Sequence, residues 1–471
     1  MTVRITVATI KMIFIGEVKT CCRETGKTME QVSELEKARV AKKAGIASFV
    51  GTTIEWYDFY AYSTAAALVF GKIFFPSTNT ATGTLAAFAT FWIGFLARPL
   101  GGMIFGHLGD RIGRKKTLIT TLMLMGICTT AIGLLPTYNS IGIAAPILLI
   151  LLRLIQGIAM GGEWGGAVVL SAEHAPKGKE LLYSAFAQQG SPVGNLLATF
   201  VFFMFSFLPD EQFLSWGWRI PFLFSALLVL TGLWIRLGVE ESPVMKQLQS
   251  SKNLVKVPLK EVFAKYKVMV ALGMGACIIG LSATYFKTTF ALSWAVNEIG
   301  FTRSDFLGIV TIALITQVIF QPFGAVIASK MNLKKAIIFI LLPEVILLPL
   351  AFLLIATKSY AWAAFGMAIA TIPHAMYYSF LGGILVRAFP ANVRYTGISM
   401  SYQLCGMIFA GSTPIVAQFL LNQTGSIVAV IVLALVHVVI SMVCAVYLIS
   451  RYEAVQRTYA LDTNSLAHDK G

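Results

Sequence analysis

The chain has 471 residues, of which 57% are hydrophobic and only 13% are charged, and its mean hydropathy is +0.76. Because a soluble domain carries about 25% charged residues, this composition excludes a soluble protein that must cover its surface with polar groups. The net charge of +15 would suit a nucleic-acid-binding protein, but the basic residues lie in short segments between apolar runs. No nucleic-acid partner is therefore expected, and the lipid bilayer is the expected surroundings.

The first 43 residues differ from the rest of the chain. The run TVATIKMIFIG is interrupted by Lys11 and is too short to span a bilayer, and no signal-peptide cleavage site follows it. A polar stretch begins at Met29. We expect residues 1–43 to form a cytoplasmic tail, in which 1–28 are either translated or precede a true start at Met29.

Twelve apolar runs follow, each long enough to cross a bilayer as an α-helix. The predicted helices span 44–70, 84–105, 117–136, 143–170, 183–208, 218–239, 268–292, 305–328, 336–356, 360–386, 397–421 and 426–449. The sequence therefore predicts an all-α membrane protein of twelve transmembrane helices in two six-helix bundles with internal pseudo-symmetry. We expect the bundles at 44–239 and 268–450, a basic cytoplasmic linker at 240–267 and a cytoplasmic tail at 451–471.

Lysine and arginine are concentrated on one side of the predicted membrane. That side includes the turn at 109–116 and the linker, whereas the other side has only Lys72, Arg303 and Lys358, with Arg219 at a helix mouth. Positive loops mark the cytoplasm. Both termini are therefore expected to be cytoplasmic in a multi-pass protein of the plasma (inner) membrane.

Two turns of the first half recur in the second half at nearly the same offset. The basic turn at 109–116 corresponds to 329–335, and the proline-containing turn at 175–179 corresponds to 389–394. Two matches at one spacing indicate an internal duplication, which is common in transporters.

Carboxylates in the first predicted helix are candidates for proton coupling. A charge at the bilayer centre costs about 2.5–3.5 kcal/mol, so charged residues inside a span are functional candidates by default. Glu55 and Asp58 are three residues apart and share a helical face. Repulsion between two partly desolvated carboxylates favours a bound proton on one of them. The alternatives are an ion pair with another helix or a position near the headgroups.

Basic residues in the predicted helices are candidates for binding an anion. Arginine keeps its charge and binds a carboxylate through two parallel hydrogen bonds. Arg153 lies inside the fourth run and Arg98 late in the second, where it could instead reach the inner interface. Lys287 in the seventh run could face an anionic ligand or the first-half carboxylates, or else extend outward to the headgroups.

Several polar residues near these charges complete the candidate substrate contacts. Gln156 and Glu163 are seven residues apart and share one face of the fourth helix, and Tyr57 lies between the two carboxylates. Glu344 and His374 are weaker candidates, although each adjoins a proline that could break its helix.

The chain has no nucleophile elbow, no HExxH motif and no phosphate-binding GxxxxGK[ST] loop. An enzyme and an ATP-driven pump are therefore not expected, and neither is a cofactor or a metal site. The energy for transport would come from an ion gradient or from the gradient of the substrate.

The segment GHLGDRIGRKK at 106–116 is similar to the loop signature of the major facilitator superfamily. Within that superfamily, five further segments resemble the metabolite:proton symporters; they are 51–60, 153–157, 161–166, 216–222 and 391–397. The likeness covers about 44–450. It implies import of a small polar metabolite with a proton, the family substrates including shikimate, 2-oxoglutarate, citrate, proline and betaine. The stretch 211–219 is most similar to the shikimate-type branch.

The resemblance also implies a gating loop that helps to switch between inward-facing and outward-facing states. Its residues are Gly109, Asp110, Arg111, Gly113 and Arg114. An aspartate at a helix end can pair with a neighbouring charge in only one state. Ser329 replaces the usual aspartate in the second copy, which weakens the expectation of a symmetric role.

These features together predict a monomeric, proton-coupled symporter that imports a small organic acid by alternating access. Glu55 or Asp58 would take the proton, and Arg153 with Lys287 or Arg98 would hold the substrate anion. The alternatives are a proline or betaine symporter, an uncoupled facilitator and a membrane sensor. The short tail at 451–471 disfavours the osmolyte symporter, which is expected to carry a long charged extension.

Overall fold

The computed structural model describes residues 29–76, 80–112, 114–161, 180–237, 259–389 and 394–468. Twelve long helices, α1 to α12, follow one another in these residues, and no strand is assigned there. Residues 1–28 and residues 240–258 of the expected linker lie outside the described residues. So do residues 162–179, which include Glu163 and the end of the fourth predicted helix.

The first six helices carry the N-terminal half of the described chain. They are α1 (Met29–Ala65, continued by a π-helical turn Ala66–Phe70 and by Gly71–Ile73), α2 (Thr80–Leu96 and Arg98–Ile112), α3 (Arg114–Leu134), α4 (Ala144–Gly161), α5 (Glu180–Phe205) and α6 (Ile220–Leu237). Short helices at Tyr138–Ile141, Asp210–Ser215 and Gly217–Arg219 connect them.

The second six helices begin after a short helix at Leu259–Lys265. They are α7 (Lys267–Tyr285, a π-helical turn Phe286–Phe290, Ala291–Trp294 and a second π-helical turn Ala295–Ile299), α8 (Arg303–Lys330), α9 (Leu333–Leu341 and Glu344–Ala356), α10 (Tyr360–Ile369 and Thr371–Ala388), α11 (Arg394–Cys405, a π-helical turn Gly406–Ala410 and Thr413–Thr424) and α12 (Ile427–His468).

The helices coincide with the predicted apolar runs. Nine helical stretches in the described residues are long and apolar enough to cross a membrane, and α3 contributes a shorter apolar stretch at 119–134. The remaining two, α1 and α5, carry more polar residues, among them Asp58 and Asn195, which are buried in the protein. The outer limits differ from expectation, because α1 already begins at Met29 and α12 continues to His468.

Glycines allow the closest helix crossings of the N-terminal half. A Cβ atom on Gly157 of α4 would lie 2.1 Å from the Gly94 carbonyl oxygen of α2, and one on Gly194 of α5 would lie 2.4 Å from the Thr53 carbonyl oxygen of α1. No side chain fits at these distances, so the backbones of α2 and α4, and of α1 and α5, touch directly. This contact brings the polar residues of α1, α2 and α4 together.

The two halves meet along α5 with α8 and α10, and along α2 with α11. Gln189 of α5 donates to the Val318 carbonyl of α8 at 2.8 Å, and Trp92 of α2 donates to the Met407 carbonyl of α11 at 2.6 Å. Because these hydrogen bonds join side chains of one half to the backbone of the other, they can be exchanged without unfolding either half.

Candidate functional site

Arg153 lies at the centre of the N-terminal half, with 1% of its surface exposed. Its guanidinium carbon is 4.3 Å from the centre of the Phe59 ring and 4.1 Å from that of Tyr62. A Cβ atom on Gly94 would lie 2.4 Å from the Arg153 Nε atom, so the absence of a side chain on α2 makes room for the guanidinium. Aromatic faces stabilise the charge in part but accept few of its N–H groups.

The hydrogen bonds of Arg153 are incomplete. Its Nη1 atom donates to the Gln156 Oε1 atom at 3.1 Å. Within the described residues, the Nε and Nη2 atoms are buried and have no hydrogen-bond partner. A buried N–H group without an acceptor costs free energy. Two such groups on one side of a planar guanidinium match the two oxygens of a carboxylate.

Asp58 is connected to Arg153 through two intervening side chains. The Asp58 carboxylate accepts a hydrogen bond from Ser225 of α6 and lies beside the Thr129 hydroxyl of α3. Thr129 in turn accepts from the Gln156 Nε2 atom at 2.7 Å. The side-chain oxygen of Gln156 therefore contacts the Arg153 guanidinium, and its nitrogen contacts Thr129, which lies beside Asp58. The Thr129 hydroxyl also donates to the Met125 carbonyl at 3.0 Å, so its contact with Asp58 competes with a hydrogen bond inside α3.

Arg98 forms a second buried cation beside the first. It is 2% exposed, and its guanidinium carbon is 4.4 Å from the centre of the Phe59 ring. It donates from Nη2 to the Met160 sulfur at 2.9 Å, and the Glu55 carboxylate attracts it electrostatically. Arg98 therefore does not extend to the interface. Glu55 and Asp58, although three residues apart, have different neighbours.

Tyr57 contacts α6. Its hydroxyl donates to the Pro221 carbonyl of α6 at 2.6 Å, and its ring packs on Phe224 at 5.9 Å. In this structure Tyr57 holds α1 against α6. Its expected role as a substrate contact remains a prediction.

An aromatic side chain of the C-terminal half closes this arrangement from the other side. The Tyr285 ring of α7 lies 5.3 Å from Phe91 and 5.7 Å from Phe95 of α2. The Tyr60 hydroxyl of α1 lies against Tyr285 and Thr284 of α7. The basic pair is therefore enclosed between the two halves, which is where an alternating-access transporter binds its substrate.

Lys287 belongs to a separate cluster in the C-terminal half. It is 3% exposed, so it does not extend to the headgroups, and its Nζ atom lies 2.7 Å from His374 Nδ1. The Glu344 carboxylate attracts it. The structure thus places Lys287 with a carboxylate of its own half rather than with those of α1.

The expected gating loop is described only in part. Gly109, Asp110 and Arg111 belong to the last turn of α2, which ends at Ile112, and Arg114 begins α3. Gly113 and the side chains of Asp110, Arg111 and Arg114 lie outside the described residues. Their role in gating remains a prediction.

Sequence reasoning did not find the uncharged members of the site. Thr129 and Ser225 contact Asp58, but a lone hydroxyl in an apolar run is common and carries no sequence signal. Tyr285 is an uncharged aromatic residue in an apolar run, so a search for buried charges could not single it out. Gly94 matters because it lies against the Arg153 guanidinium, and that contact between α2 and α4 could not be derived from the sequence.

Comparison with known proteins decides the family. The model of the Major Facilitator Superfamily matches residues 48–400. The chain belongs to this superfamily. It is therefore a multi-pass membrane transporter of small molecules and not an enzyme, with twelve transmembrane helices in two bundles. This result confirms the resemblance that the motifs indicated.

Relatives within the superfamily are similar over most of their length. The shikimate transporter of Escherichia coli is 42% identical over 386 residues, which cover 81% of this chain and 88% of that protein. The inner membrane metabolite transport protein YhjE of the same organism is 37% identical over 411 residues, with 85% and 92% covered. Its proline/betaine transporter is 30% identical over 435 residues, with 89% and 85% covered.

Solved structures agree on the fold. The D-xylose-proton symporter is 17% identical with a TM-score of 0.68, covering 86% of this chain and 96% of that one. The xylose symporter XylE bound to 6-bromo-6-deoxy-D-glucose is 15% identical with a TM-score of 0.70, covering 88% and 96%.

Proposed function

We propose that this member of the major facilitator superfamily is a symporter of the inner membrane that imports a small organic acid together with a proton. The observation that carries the proposal is the chain from Asp58 through Thr129 and Gln156 to the incompletely bonded Arg153. It joins a group that can take a proton to a group that can bind a carboxylate.

The two binding events would favour each other. An ionised Asp58 repels an approaching anion and draws the Gln156 amide toward Thr129. A protonated Asp58 carries no charge, so the anion then binds Arg153 with less repulsion. Affinity for the anion should accordingly rise as the pH falls, and by reciprocity the bound anion should favour the proton on Asp58. Glu55 could take the proton instead, with Arg98 as its partner.

The substrate class is inferred from the site and from the relatives. A carboxylate would accept hydrogen bonds from Nε and Nη2 of Arg153, which have no partner among the described residues. The rings of Phe59, Tyr62 and Phe91 would border the rest of a small molecule. The relative named a shikimate transporter has the higher identity, which favours shikimate or a di- or tricarboxylate. A zwitterion such as proline or betaine also has a carboxylate for Arg153, and the proline/betaine transporter makes it the second candidate.

Alternating access would proceed by rocking of the bundles at 44–239 and 268–450 about the enclosed arginines. We place the termini, the linker at 240–267 and the tail at 451–471 in the cytoplasm, because the lysine-rich turns lie on that side. The Asp110 and Arg114 loop would then switch at the cytoplasmic end. The protein would work as a monomer, since each chain contains a complete pair of arginines.

Uptake into proteoliposomes under an inward proton gradient tests the proposal. The labelled compounds are shikimate, 2-oxoglutarate, citrate, proline and betaine, each with and without a protonophore. We expect accumulation of one organic acid that the protonophore abolishes. Equilibration without accumulation would reduce the protein to a facilitator, and accumulation of betaine or proline would select the second candidate.

The Asp58→Asn variant identifies the proton site. Because the amide cannot bind a transported proton, we expect loss of uphill accumulation with retention of substrate exchange between the two sides. Glu55→Gln is the matched variant, three residues away on the same helix, and should keep accumulation. If Glu55→Gln lost accumulation and Asp58→Asn kept it, the proton would be assigned to Glu55. Full accumulation in both variants would contradict a proton site on α1.

A further inference from the structure

A second group of buried ionisable side chains lies in the C-terminal half and is contributed by three helices. Lys287 of α7 donates to the Ala370 carbonyl at 3.0 Å and lies 2.7 Å from His374 Nδ1 of α10. Glu344 of α9 lies within electrostatic range of Lys287. The three side chains are 3%, 1% and 0% exposed. We call Lys287, His374 and Glu344 the C-terminal cluster.

Each member of this cluster lies where its helix departs from regular α geometry. Lys287 is in the π-helical turn Phe286–Phe290 of α7, and π-helical turns are often found at functional sites. Pro373 lacks an N–H group, and α10 is interrupted at Ala370, whose carbonyl accepts from Lys287. Three irregularities meeting at three ionisable groups are typical of ligand and ion sites in transporters.

Glu344 occupies the start of a broken helix. The first segment of α9 ends at Leu341, and Pro343 precedes the second segment, whose first residue is Glu344. A carboxylate at a helix N-terminus is favoured by the partial positive charge there. Within the described residues, however, neither carboxylate oxygen has a hydrogen bond of good geometry, and the donor that approaches the carboxylate is the backbone N–H of His374.

An ionised carboxylate without hydrogen bonds is costly in a buried site, and one attracting cation offsets only part of that cost. Binding a proton removes the charge of Glu344 altogether and leaves Lys287 still bonded to His374 and the Ala370 carbonyl. Lys287 and the start of the α9 segment favour the ionised form of Glu344, whereas burial favours the protonated form. These opposing effects are the condition for exchanging a proton.

The cluster is connected to the interface between the halves. The His374 Nε2 atom lies 3.5 Å from the Thr284 hydroxyl, and Thr284 lies against the Tyr60 hydroxyl of α1. A network of polar side chains thus extends from Lys287 to the surface that opens and closes during transport.

We propose that the C-terminal cluster is a second proton-binding site, in which Glu344 takes up and releases one proton per cycle. The step forms and breaks only an O–H bond on the carboxyl group; Lys287 remains a cation throughout. This inference rests on the proposed function only for the claim that the proton is carried in step with the substrate.

Other charged groups near α9 have partners of their own. His437 of α12, which also packs against α9, is 2.9 Å from the Ser282 hydroxyl. Glu298, at the end of α7, accepts from Gln418. Lys287 and His374 are therefore the groups expected to respond when Glu344 changes charge.

Infrared difference spectroscopy of the full chain in lipid, after a pH step around neutrality, tests the proton site without relying on transport. The carbonyl stretch of a protonated carboxyl group should appear as separate bands for the α1 site and for Glu344. We expect Glu344→Gln to remove one band and Asp58→Asn the other. The solvent-facing carboxylate of Glu298 supplies a control, since Glu298→Gln should leave these bands unchanged.

Glu344→Gln leaves Lys287 without its carboxylate and could fail to fold. The double variant Lys287→Met with Glu344→Gln removes both charges together and should lose the same band. Unchanged carboxyl bands in Glu344→Gln would overturn the proposal, as would unchanged bands in the double variant if the single variant does not fold. Glu344 would then be either permanently ionised beside Lys287 or permanently protonated.

The number of protons carried gives the second readout. With the membrane potential held at zero, a pH gradient of one unit supports about hundredfold accumulation with two protons and about tenfold with one. We expect the double variant to accumulate labelled shikimate, if that is the acid taken up, about tenfold less than the unaltered protein. Equal accumulation would contradict a carried proton on Glu344. Absence of any accumulation in the unaltered protein would instead contradict the proposed function, and the infrared result would still stand.

Discussion

Arg153 and Lys287 are both fully buried cations near the middle of their halves, and they differ in what their nitrogen atoms contact. Within the part of the chain that the structure describes, Arg153 makes one hydrogen bond, to Gln156, and its guanidinium lies against aromatic rings. Lys287 donates to a backbone carbonyl and to a histidine, and a carboxylate lies nearby. Among the described residues, no carboxylate is hydrogen-bonded to Arg153, whereas Glu344 lies near Lys287.

This difference indicates different roles for two cations that are equally buried. A cation with free N–H groups can bind a carboxylate from outside the protein. A cation balanced by an internal carboxylate contributes little to binding an anion, but the protonation of that carboxylate changes the local charge. We therefore propose that the substrate binds at Arg153 and the second proton at Glu344.

The largest effect is expected from Arg153→Lys. Lysine keeps the charge but lacks the planar pair of N–H groups, so two charge-assisted hydrogen bonds to the substrate are weakened. We expect uptake efficiency to fall about 100-fold, which corresponds to about 3 kcal/mol. The measurement is initial uptake of the transported acid in proteoliposomes.

Arg219→Lys is the control for this substitution. Arg219 donates to the carbonyls of Gly133 and Leu135, at the mouth of α6, and does not contact the arginine pair. We expect its uptake to stay within about threefold of the unaltered protein. A loss as large as that of Arg153→Lys would mean that the guanidinium geometry of Arg153 is not what binds the substrate.

An intermediate effect is expected from Thr129→Val, which removes the hydroxyl between Asp58 and Gln156. The coupling between proton and anion should weaken by about 1–2 kcal/mol, within the usual range for linked sites. Substrate affinity is measured at acidic and at alkaline pH, and the ratio of the two affinities should fall about tenfold.

Thr130→Val provides the matched control, because the next residue on α3 donates only to the Gly126 carbonyl. Its affinity ratio should not change. If Thr129→Val kept the full pH dependence, Asp58 and Arg153 would be coupled by another route.

The smallest effect is expected at the end of the molecule opposite the Asp110 loop. There Arg303 of α8 donates to the Ser206 and Leu208 carbonyls, packs over Phe213 at 3.9 Å and pairs with Asp210 at 2.7 Å. These contacts join the two halves and hold this end closed. We expect Arg303→Gln to change the rate of substrate exchange about threefold, by favouring the state open at this end.

Asp210→Asn separates the ion pair from the other contacts. Asp210 is 82% exposed, so its pairing with Arg303 is weak in water. Exchange by Asp210→Asn should match the unaltered protein. A larger effect for Asp210→Asn than for Arg303→Gln would show that charge pairing, rather than the carbonyl and aromatic contacts, closes this end.

Much of the fold followed from the sequence because hydrophobic length is a direct physical requirement of the bilayer. The apolar runs predicted all twelve helices, and the buried charges predicted Asp58 and Arg153 as site candidates. The helix ends differ from the prediction: α12 continues to His468, because polar residues can extend a helix beyond the apolar run. Irregular turns such as Phe286–Phe290 had no sequence signal, since π-helical geometry depends on neighbouring helices.

The sequence alone determined the fold class, the superfamily and the small set of charges that are expensive to keep in a membrane. Only the tertiary structure decided which charge has which neighbour. Spacing along α1 places Glu55 and Asp58 on one face, but Arg98 approaches one and Ser225 the other from different helices. The electrostatic energy of each charge depends on its distance from such neighbours. Helix packing sets these distances, and the packing depends on glycines and prolines that are far apart in the chain. The different surroundings of Arg153 and Lys287, on which the two proposed roles depend, therefore come from packing.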